Sequence, residues 1–225
     1  MDRYELVVML KDAVREHRDR LDRTKTDASR WGAQSDWPWN GVVLSAATRG
    51  GSARWDRNVG PRYEAELSWA ALDELPESER RARFNTVGRF WRRTADWLEA
   101  VYLHMLNAGG PAAIRNTLAT MDAKAVIAFW TAFPDVGDKY ARNIMMDVYD
   151  PRFRSGYFAI DSRIKSLLPA LGYRGRPRYD AQEAFLDALA REIDIEGWEL
   201  DRLLYQAHRS IAAAFRSGPS ASSAP

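Results

Sequence analysis

The residues best suited to chemistry in this chain lie between Ala132 and Gly172. Lys139 follows a short turn, Phe133-Pro134-Asp135-Val136-Gly137, and Asp161 comes 22 positions later, at the start of an apolar helical pattern. A lysine amine is a nucleophile that forms Schiff bases with carbonyl carbons, and a carboxylate stabilises positive charge that develops during a reaction. Lys139 and Asp161 are therefore candidates for nucleophilic and electrostatic catalysis.

Each of the two residues also has a purely structural interpretation. A lysine in the first turn of a helix is usually solvated, and an aspartate before an apolar helix is usually an N-cap. We expect Asp161 to cap the helix beginning at Ser162 in either case, because capping does not conflict with catalysis. Only the combination of turn, lysine, spacing and aspartate favours chemistry.

The turn itself predicts a binding element. Helical periodicity over 123–133 and 139–149 places one helix before the turn and one after it, which makes a helix–hairpin–helix. Such a hairpin presents backbone N–H groups and a helix N-terminus to phosphate without reading base sequence. The residues expected to contact the nucleic acid here are Val136, Gly137, Asp138 and Arg142.

This segment resembles the helix–hairpin–helix DNA glycosylase superfamily, the family of endonuclease III and the 8-oxoguanine glycosylases. Phe133–Gly137 matches the family's hairpin, Lys139 falls on its catalytic lysine, and Phe158–Ile164 matches its catalytic aspartate segment. Upstream, Trp39–Thr48 resembles the early apolar helix of the family. The resemblance implies an all-α, two-lobed fold with the DNA groove and base pocket between the lobes.

The resemblance also implies an activity, with Lys139 and Asp161 as its catalytic residues. Relatives that only remove a base lack the lysine, so its presence indicates a bifunctional DNA glycosylase and AP lyase that flips out and excises a modified base. The chain departs from the family at Asp135, which replaces the first hairpin glycine. It also has no cysteine, so it cannot carry the iron–sulfur loop of many relatives. This favours the branch that excises oxidised guanine.

Two other functions stay open. The chain could be a glycosylase for hypermodified bases, such as modified cytosine in phage DNA, or a non-catalytic helix–hairpin–helix module that only binds DNA. Under the glycosylase hypothesis the partner is double-stranded DNA that contains a modified base or an abasic site.

A tryptophan-rich stretch supplies candidates for a base pocket. Five of the nine tryptophans lie between residues 31 and 69, interleaved with arginines, and aromatic rings stack on unpaired bases. For most of these tryptophans the preferred interpretation is packing within the helical core. The predicted pocket residues are Trp39, Ser45, Thr48, Trp55, Trp198 and Tyr205. The further DNA contacts expected are Arg49, Arg54 and Arg163.

Composition limits the remaining classes of site. The absence of cysteine excludes disulfides, thiolate metal sites and a cysteine nucleophile, and three distant histidines leave little for a histidine metal site. We therefore expect no cofactor, although the hairpin carbonyls could hold a monovalent cation. With 225 residues, 46% of them hydrophobic, we expect one domain over 1–217, with the hairpin at 133–141 and a disordered tail at 218–225.

Charge is distributed unevenly along the chain. The formal net charge is +2, but residues 138–178 carry nine basic and four acidic side chains, and residues 80–93 carry six arginines and no acid. This pattern is typical of a face that binds a polyanion, although solvated helix faces are the alternative. No membrane partner or signal peptide is indicated, so we expect a cytoplasmic monomer.

Helices with one apolar face are predicted at both ends and in the middle of the chain. Apolar residues recur at helical spacing over 4–21, 84–107 and 198–215. No stretch alternates convincingly with the period of a β-strand.

Overall fold

The computed structural model describes residues 2–49 and 55–217, apart from the side chains of Trp91 and Ser217. Arg54 and the tail at 218–225 lie outside the described residues. The regular elements within the described ranges are helices, with no β-strand, which confirms the all-α fold class. No helix in the described part of the chain is both long and apolar enough to cross a bilayer.

The α-helices follow one another along the described chain. They are α1 (Arg3–Gly32), α2 (Trp39–Thr48), α3 (Trp69–Leu72), α4 (Glu77–Phe84), α5 (Trp91–Asn107), α6 (Pro111–Ala119), α7 (Ala123–Thr131), α8 (Asp138–Met146), α9 (Ser162–Leu167), α10 (Tyr179–Glu192), α11 (Gly197–Gln206) and α12 (His208–Ser217). Short π-helical turns (Trp55–Val59 and Tyr63–Leu67) and 3₁₀ turns (Gly60–Arg62 and Pro151–Phe153) complete the regular structure.

The helices group into two compact units. Of the described residues, the terminal unit comprises 2–27 and 151–217, and the central unit comprises 28–49 and 55–150. Lys139 belongs to the central unit, and Asp161 belongs to the terminal unit.

The terminal unit is built on the apolar stripe of α1. Leu6, Leu10, Val14 and Leu21 are buried at helical spacing and join a core that includes apolar residues of α9, α10, α11 and α12. This confirms the predicted stripe, although α1 extends well past Leu21. The C-terminal stripe over 198–215 forms two helices rather than one. The chain bends at Ala207, and Ala207 and Ile211 are both buried in the same core.

The central unit has an aromatic core. The ring of Trp39 lies 5.7 Å from Phe84, 5.8 Å from Tyr102 and 6.0 Å from Trp69, centroid to centroid. Trp39 is fully buried and donates its indole N–H to the Leu67 carbonyl at 2.8 Å. The structure thus supports the packing interpretation for Trp39.

The predicted helix over 84–107 is wrong at its start. α4 ends at Phe84, and α5 begins only at Trp91, after a non-helical segment that buries Val87. Gly88 explains the break, because a Cβ at this position would overlap the Thr94 hydroxyl and lie 2.7 Å from its Cγ2. The segment before α5 therefore folds back onto the first turn of α5, and this close approach requires glycine.

Candidate nucleic-acid interface

The hairpin between α7 and α8 has the predicted geometry. Val136 is buried, donates its N–H to the Phe133 carbonyl at 3.2 Å, and anchors the turn. Gly137 and Asp138 lie at the exposed start of α8, where a helix leaves its first N–H groups without intrahelical acceptors. A Cβ added at Gly137 would meet nothing within 4 Å, so the space in front of the turn is open. The turn can therefore bind an anion such as a phosphate.

Asp135 occupies the hairpin position where the resembled family has glycine. Its φ is +63°, in the left-handed region that favours glycine and is tolerated by aspartate and asparagine. The Arg49 guanidinium lies 3.7 Å from the Asp135 carboxylate and offsets its charge. The turn thus keeps a left-handed residue at this position, while Arg49 stands beside an acidic group that would otherwise repel phosphate.

Lys139 lies in the first turn of α8, next to an aromatic ring. Its Nζ is 4.3 Å from the centroid of the Tyr140 ring. The Arg49 guanidinium carbon is 5.8 Å from the same centroid, and the Trp97 ring is 6.2 Å from it. Arg49 and Lys139 therefore both lie against the Tyr140 ring, within the central unit.

Arg142 does not occupy the expected place at the interface. Its guanidinium donates to the Asp138 carboxylate at 2.9 Å and to the Asp138 carbonyl at 3.1 Å, and its side chain is only 8% exposed. A buried, paired guanidinium stabilises the start of α8 and has little surface for a phosphate. The structure therefore favours a structural role for Arg142 over the predicted DNA contact.

In the terminal unit, an extended segment leads into Asp161, and side chains satisfy its backbone. The N–H groups of Phe158, Ala159 and Ile160 donate to Glu183 at 2.9 Å, to Asp201 at 2.8 Å and to the Tyr179 hydroxyl at 2.9 Å. The Tyr179 hydroxyl in turn donates to the Phe158 carbonyl at 2.8 Å. These bonds replace the ladder that a neighbouring strand would supply to an extended buried segment.

Asp161 is the N-cap of α9, as predicted. Its Oδ1 accepts from the N–H groups of Arg163 at 2.9 Å and Ile164 at 3.0 Å. Both bonds use the same oxygen, and within the described residues Oδ2 accepts no hydrogen bond. One oxygen therefore holds the carboxylate in place while the other remains available to a ligand, so capping and catalysis are compatible.

Two further predicted residues, Arg163 and Tyr205, lie together in the terminal unit. The Arg163 guanidinium carbon is 4.6 Å from the centroid of the Tyr205 ring, and Tyr205 is 36% exposed. A cation held against an exposed aromatic ring is a surface that suits a nucleotide, through stacking and phosphate attraction. The placement of Arg163 and Tyr205 is therefore compatible with their predicted roles.

Three of the predicted pocket residues are core residues instead. Trp39, Ser45 and Trp198 are each 0% exposed, so they offer a ligand no accessible surface. Their apolar or small side chains fill the two units, which is the usual fate of large aromatics in a helical protein. The base-pocket assignment is therefore wrong for these three.

The two other pocket candidates keep some accessible surface. Trp55 is half-buried and lies 5.1 Å from Trp31 and 5.7 Å from Tyr63, centroid to centroid. Thr48 is half-buried at the end of α2, and its hydroxyl lies 3.1 Å from the Leu44 carbonyl. A role for them in base binding stays a prediction.

Sequence reasoning missed the side chains that hold the segment before Asp161. Tyr179 and Glu183 are one turn apart on α10, and Leu186 lies three positions after Glu183 on the same buried face. Glu183 therefore places a charge on a buried face of the helix. Asp201 likewise lies between Trp198 and Leu204 on the buried face of α11. A charge on a buried face needs a partner. The sequence shows charges at these helical positions, but it does not identify the backbone N–H groups that pair with them.

No group of three or more histidine, aspartate or glutamate side chains in residues 2–49 and 55–217 could hold a metal ion. A monovalent cation at the hairpin carbonyls stays a prediction.

Comparison with known proteins supports the fold. No protein-family model matches the sequence, and no curated protein matches it. Two solved structures match, both of 8-oxoguanine DNA glycosylase from Methanocaldococcus jannaschii. One matches with a TM-score of 0.70 over 93% of this chain and 98% of that chain. The other, a complex of the glycosylase/lyase with a 15mer DNA containing 8-oxoguanine, matches with a TM-score of 0.67 over 90% and 98%.

Sequence identity to both structures is 16%. The likeness therefore concerns the backbone, and it confirms the helical DNA glycosylase fold that the hairpin and aspartate motifs implied.

Proposed function

We propose that this chain is a DNA glycosylase with AP lyase activity, in which Lys139 is the nucleophile and Asp161 stabilises positive charge on the sugar. The observation that carries the proposal is the position of Lys139, in the first turn of the helix that follows an exposed, phosphate-binding turn. An amine at that place meets the sugar of a nucleotide whose phosphate the turn holds. The fold shared with an archaeal 8-oxoguanine glycosylase supports the same conclusion.

The proposed chemistry begins at C1′ of the flipped nucleotide. The C1′–N bond breaks, its electron pair leaves with the base, and the growing positive charge on the sugar is stabilised by the Asp161 carboxylate. The neutral Lys139 amine forms the new C1′–Nζ bond and loses a proton, which gives a Schiff base once the sugar ring opens. Loss of a C2′ proton then expels the 3′ phosphate and nicks the strand. These steps use an amine and a carboxylate and need no metal.

Oxidised guanine is the proposed base. The support is the likeness to the Methanocaldococcus glycosylase and the lack of cysteine, which rules out the iron–sulfur branch. Release of free base from duplex oligonucleotides carrying 8-oxoguanine, hydroxymethylcytosine or an alkylated purine identifies the substrate. Release of 8-oxoguanine alone supports this assignment, and release of a different base only would contradict it.

Borohydride trapping on abasic DNA tests the lyase assignment. We expect a covalent adduct with the wild-type chain and none with Lys139→Gln, because borohydride reduces the Schiff base to a stable amine. Lys124→Gln is the matched control, since Lys124 is an exposed lysine on α7. If the wild-type chain gives no adduct, or if Lys139→Gln traps as well as the control, the lyase assignment is wrong.

Two substitutions separate the capping and catalytic roles of Asp161. Asp161→Asn keeps an oxygen that can accept the two N–H bonds and removes the charge, whereas Asp161→Ala removes both. We expect Asn to retain the thermal stability and DNA affinity of the wild type while slowing base release by about a hundredfold or more. Equal loss of binding and base release in the Asn variant would mean that Asp161 serves structure alone.

A further inference from the structure

The arginine-rich run at 80–93 divides into two groups in the structure. Three of its six arginines are used within the central unit. Arg80 pairs with Glu99 at 2.5 Å, Arg81 pairs with Asp96, and Arg83 donates to the Glu66 carbonyl at 2.8 Å. Packing and hydrogen bonding account for these three.

The other three arginines form an exposed patch at the start of α5. Arg89, Arg92 and Arg93 are exposed and adjoin Phe90, which is 49% exposed. We call these four residues the α5 patch. The Arg89 guanidinium carbon is 5.9 Å from the Phe90 ring centroid. In the part of the chain that the structure describes, neither Arg89 nor Arg93 has an acidic partner.

Helix stability does not account for Arg93 in the α5 patch. The first turn of α5 contains no acidic residue and carries Arg92 and Arg93, although a helix N-terminus favours negative charge. Positive charge at this place destabilises the helix, and Phe90 remains 49% exposed to water. A patch of cations and an aromatic ring that opposes stability is complementary to a polyanion.

An aromatic contact links α5, at whose start the patch lies, to α8, which follows the hairpin. Arg93 and Trp97 are four residues apart and therefore share one face of α5, about 6 Å apart along its axis. The Trp97 ring is 6.2 Å from Tyr140, which directly follows Lys139. The α5 patch and the proposed nucleophile thus lie on two helices of one unit that are in contact through Trp97 and Tyr140.

We propose that the α5 patch is a second binding site for the DNA backbone, which contacts phosphates flanking the one held by the hairpin. This inference rests on the proposed function, since it requires DNA as the ligand. Arginine suits the role because its planar guanidinium donates two parallel hydrogen bonds to a phosphate.

Salt dependence of DNA binding tests the inference. The affinity for a 20-base-pair duplex is measured by fluorescence anisotropy between 50 and 300 mM NaCl, for the wild type and Arg89→Ala/Arg93→Ala. Each lost phosphate contact lowers the slope of log K against log salt by about 0.9, so we expect a slope about 1.8 units shallower and at least a tenfold loss of affinity at low salt. Arg20→Ala/Arg23→Ala is the matched control, because both arginines are exposed on one helix, α1.

The outcomes separate this inference from the proposed function. If the wild type binds DNA and the Arg89/Arg93 variant has the same slope as the control, the α5 patch is not a DNA contact, and the proposed function stands. If the wild type does not bind DNA at all, both are overturned.

A charge reversal gives an independent readout. Arg93→Glu places an acid in the first turn of α5, so we expect Tm to rise by about 1 to 4 °C while DNA affinity falls. A merely structural arginine would give the opposite result, a lower Tm with unchanged affinity, and that result would overturn the proposal.

Discussion

Tyr179 is predicted to be required for the segment that carries Asp161. Its hydroxyl makes two hydrogen bonds at once, accepting from Ile160 N at 2.9 Å and donating to the Phe158 carbonyl at 2.8 Å. Phe158 and Ile160 are 0% and 2% exposed, so their backbone groups depend largely on this hydroxyl for hydrogen bonding. The substitution Tyr179→Phe removes this one oxygen and leaves the ring in place.

The expected loss of stability follows from the Ile160 N–H and the Phe158 carbonyl, which both lose their hydrogen-bond partner. Each buried backbone group left without a partner costs about 1 to 3 kcal/mol, so we expect Tyr179→Phe to lower the free energy of unfolding by about 2 to 6 kcal/mol. For a chain of this length, that loss corresponds to a fall in Tm of about 4 to 24 °C. Since Ile160 directly precedes Asp161, we also expect base release to fall more than DNA affinity.

Urea denaturation followed by circular dichroism measures the change, with the m-value as a check that the transition is otherwise unaltered. Tyr173→Phe is the matched control, because it deletes the same oxygen from a tyrosine whose hydroxyl donates to the exposed Arg176 carbonyl. We expect the control to lose less than about 1 kcal/mol.

The reasoning fails if Tyr179→Phe loses no more stability than Tyr173→Phe. It fails in its functional part if both variants release the modified base at the wild-type rate, since the hydroxyl would then have no influence on the position of Asp161.

Three further predictions concern the central unit, each measured by thermal and urea unfolding. Gly88→Ala should destabilise the fold by about 1 to 3 kcal/mol, because the added Cβ overlaps the side chain of Thr94. Gly137→Ala, where the added Cβ meets nothing, should leave stability nearly unchanged and weaken DNA binding. Equal stability of the two variants would contradict this prediction. Glu99→Ala should destabilise the fold by about 3 to 5 kcal/mol, because the Arg80 side chain is 10% exposed and would lose its ion pair. A loss of stability below about 1 kcal/mol would show that water reaches the Arg80 guanidinium. Asp135→Ala should lower the stability of the fold by about 1 kcal/mol more than Asp135→Gly, because only glycine adopts a φ of +63° without strain. Equal losses of stability would argue against a left-handed conformation at this position.

Local features of the site were predictable because their causes lie within a few residues. The N-cap at Asp161 depends on its own carboxylate and on the N–H groups two and three positions later. The bounds of α2 follow the apolar stretch Trp39–Thr48, and the hairpin follows from a proline and a glycine between two apolar helices. These features depend on backbone hydrogen bonds and helical periodicity, which the sequence displays directly.

The start of α5 was mispredicted for the opposite reason. Apolar spacing continues through Val87, which is indeed buried, but the chain there is not helical. The deciding contact is between Gly88 and Thr94, and periodicity carries no information about two chain segments that press against each other.

The sequence by itself therefore determined the helical class, the turn between α7 and α8, and the placement of Lys139 and Asp161 at the starts of helices. Only the tertiary structure decided which polar and aromatic side chains remain accessible. Arg142 and Trp198 looked available and are buried, while Arg93 remains exposed and Asp201 holds a backbone N–H that is 42 positions away. Burial and pairing depend on residues far apart in the chain, because a charge is stabilised by whichever partner the packed helices bring to it.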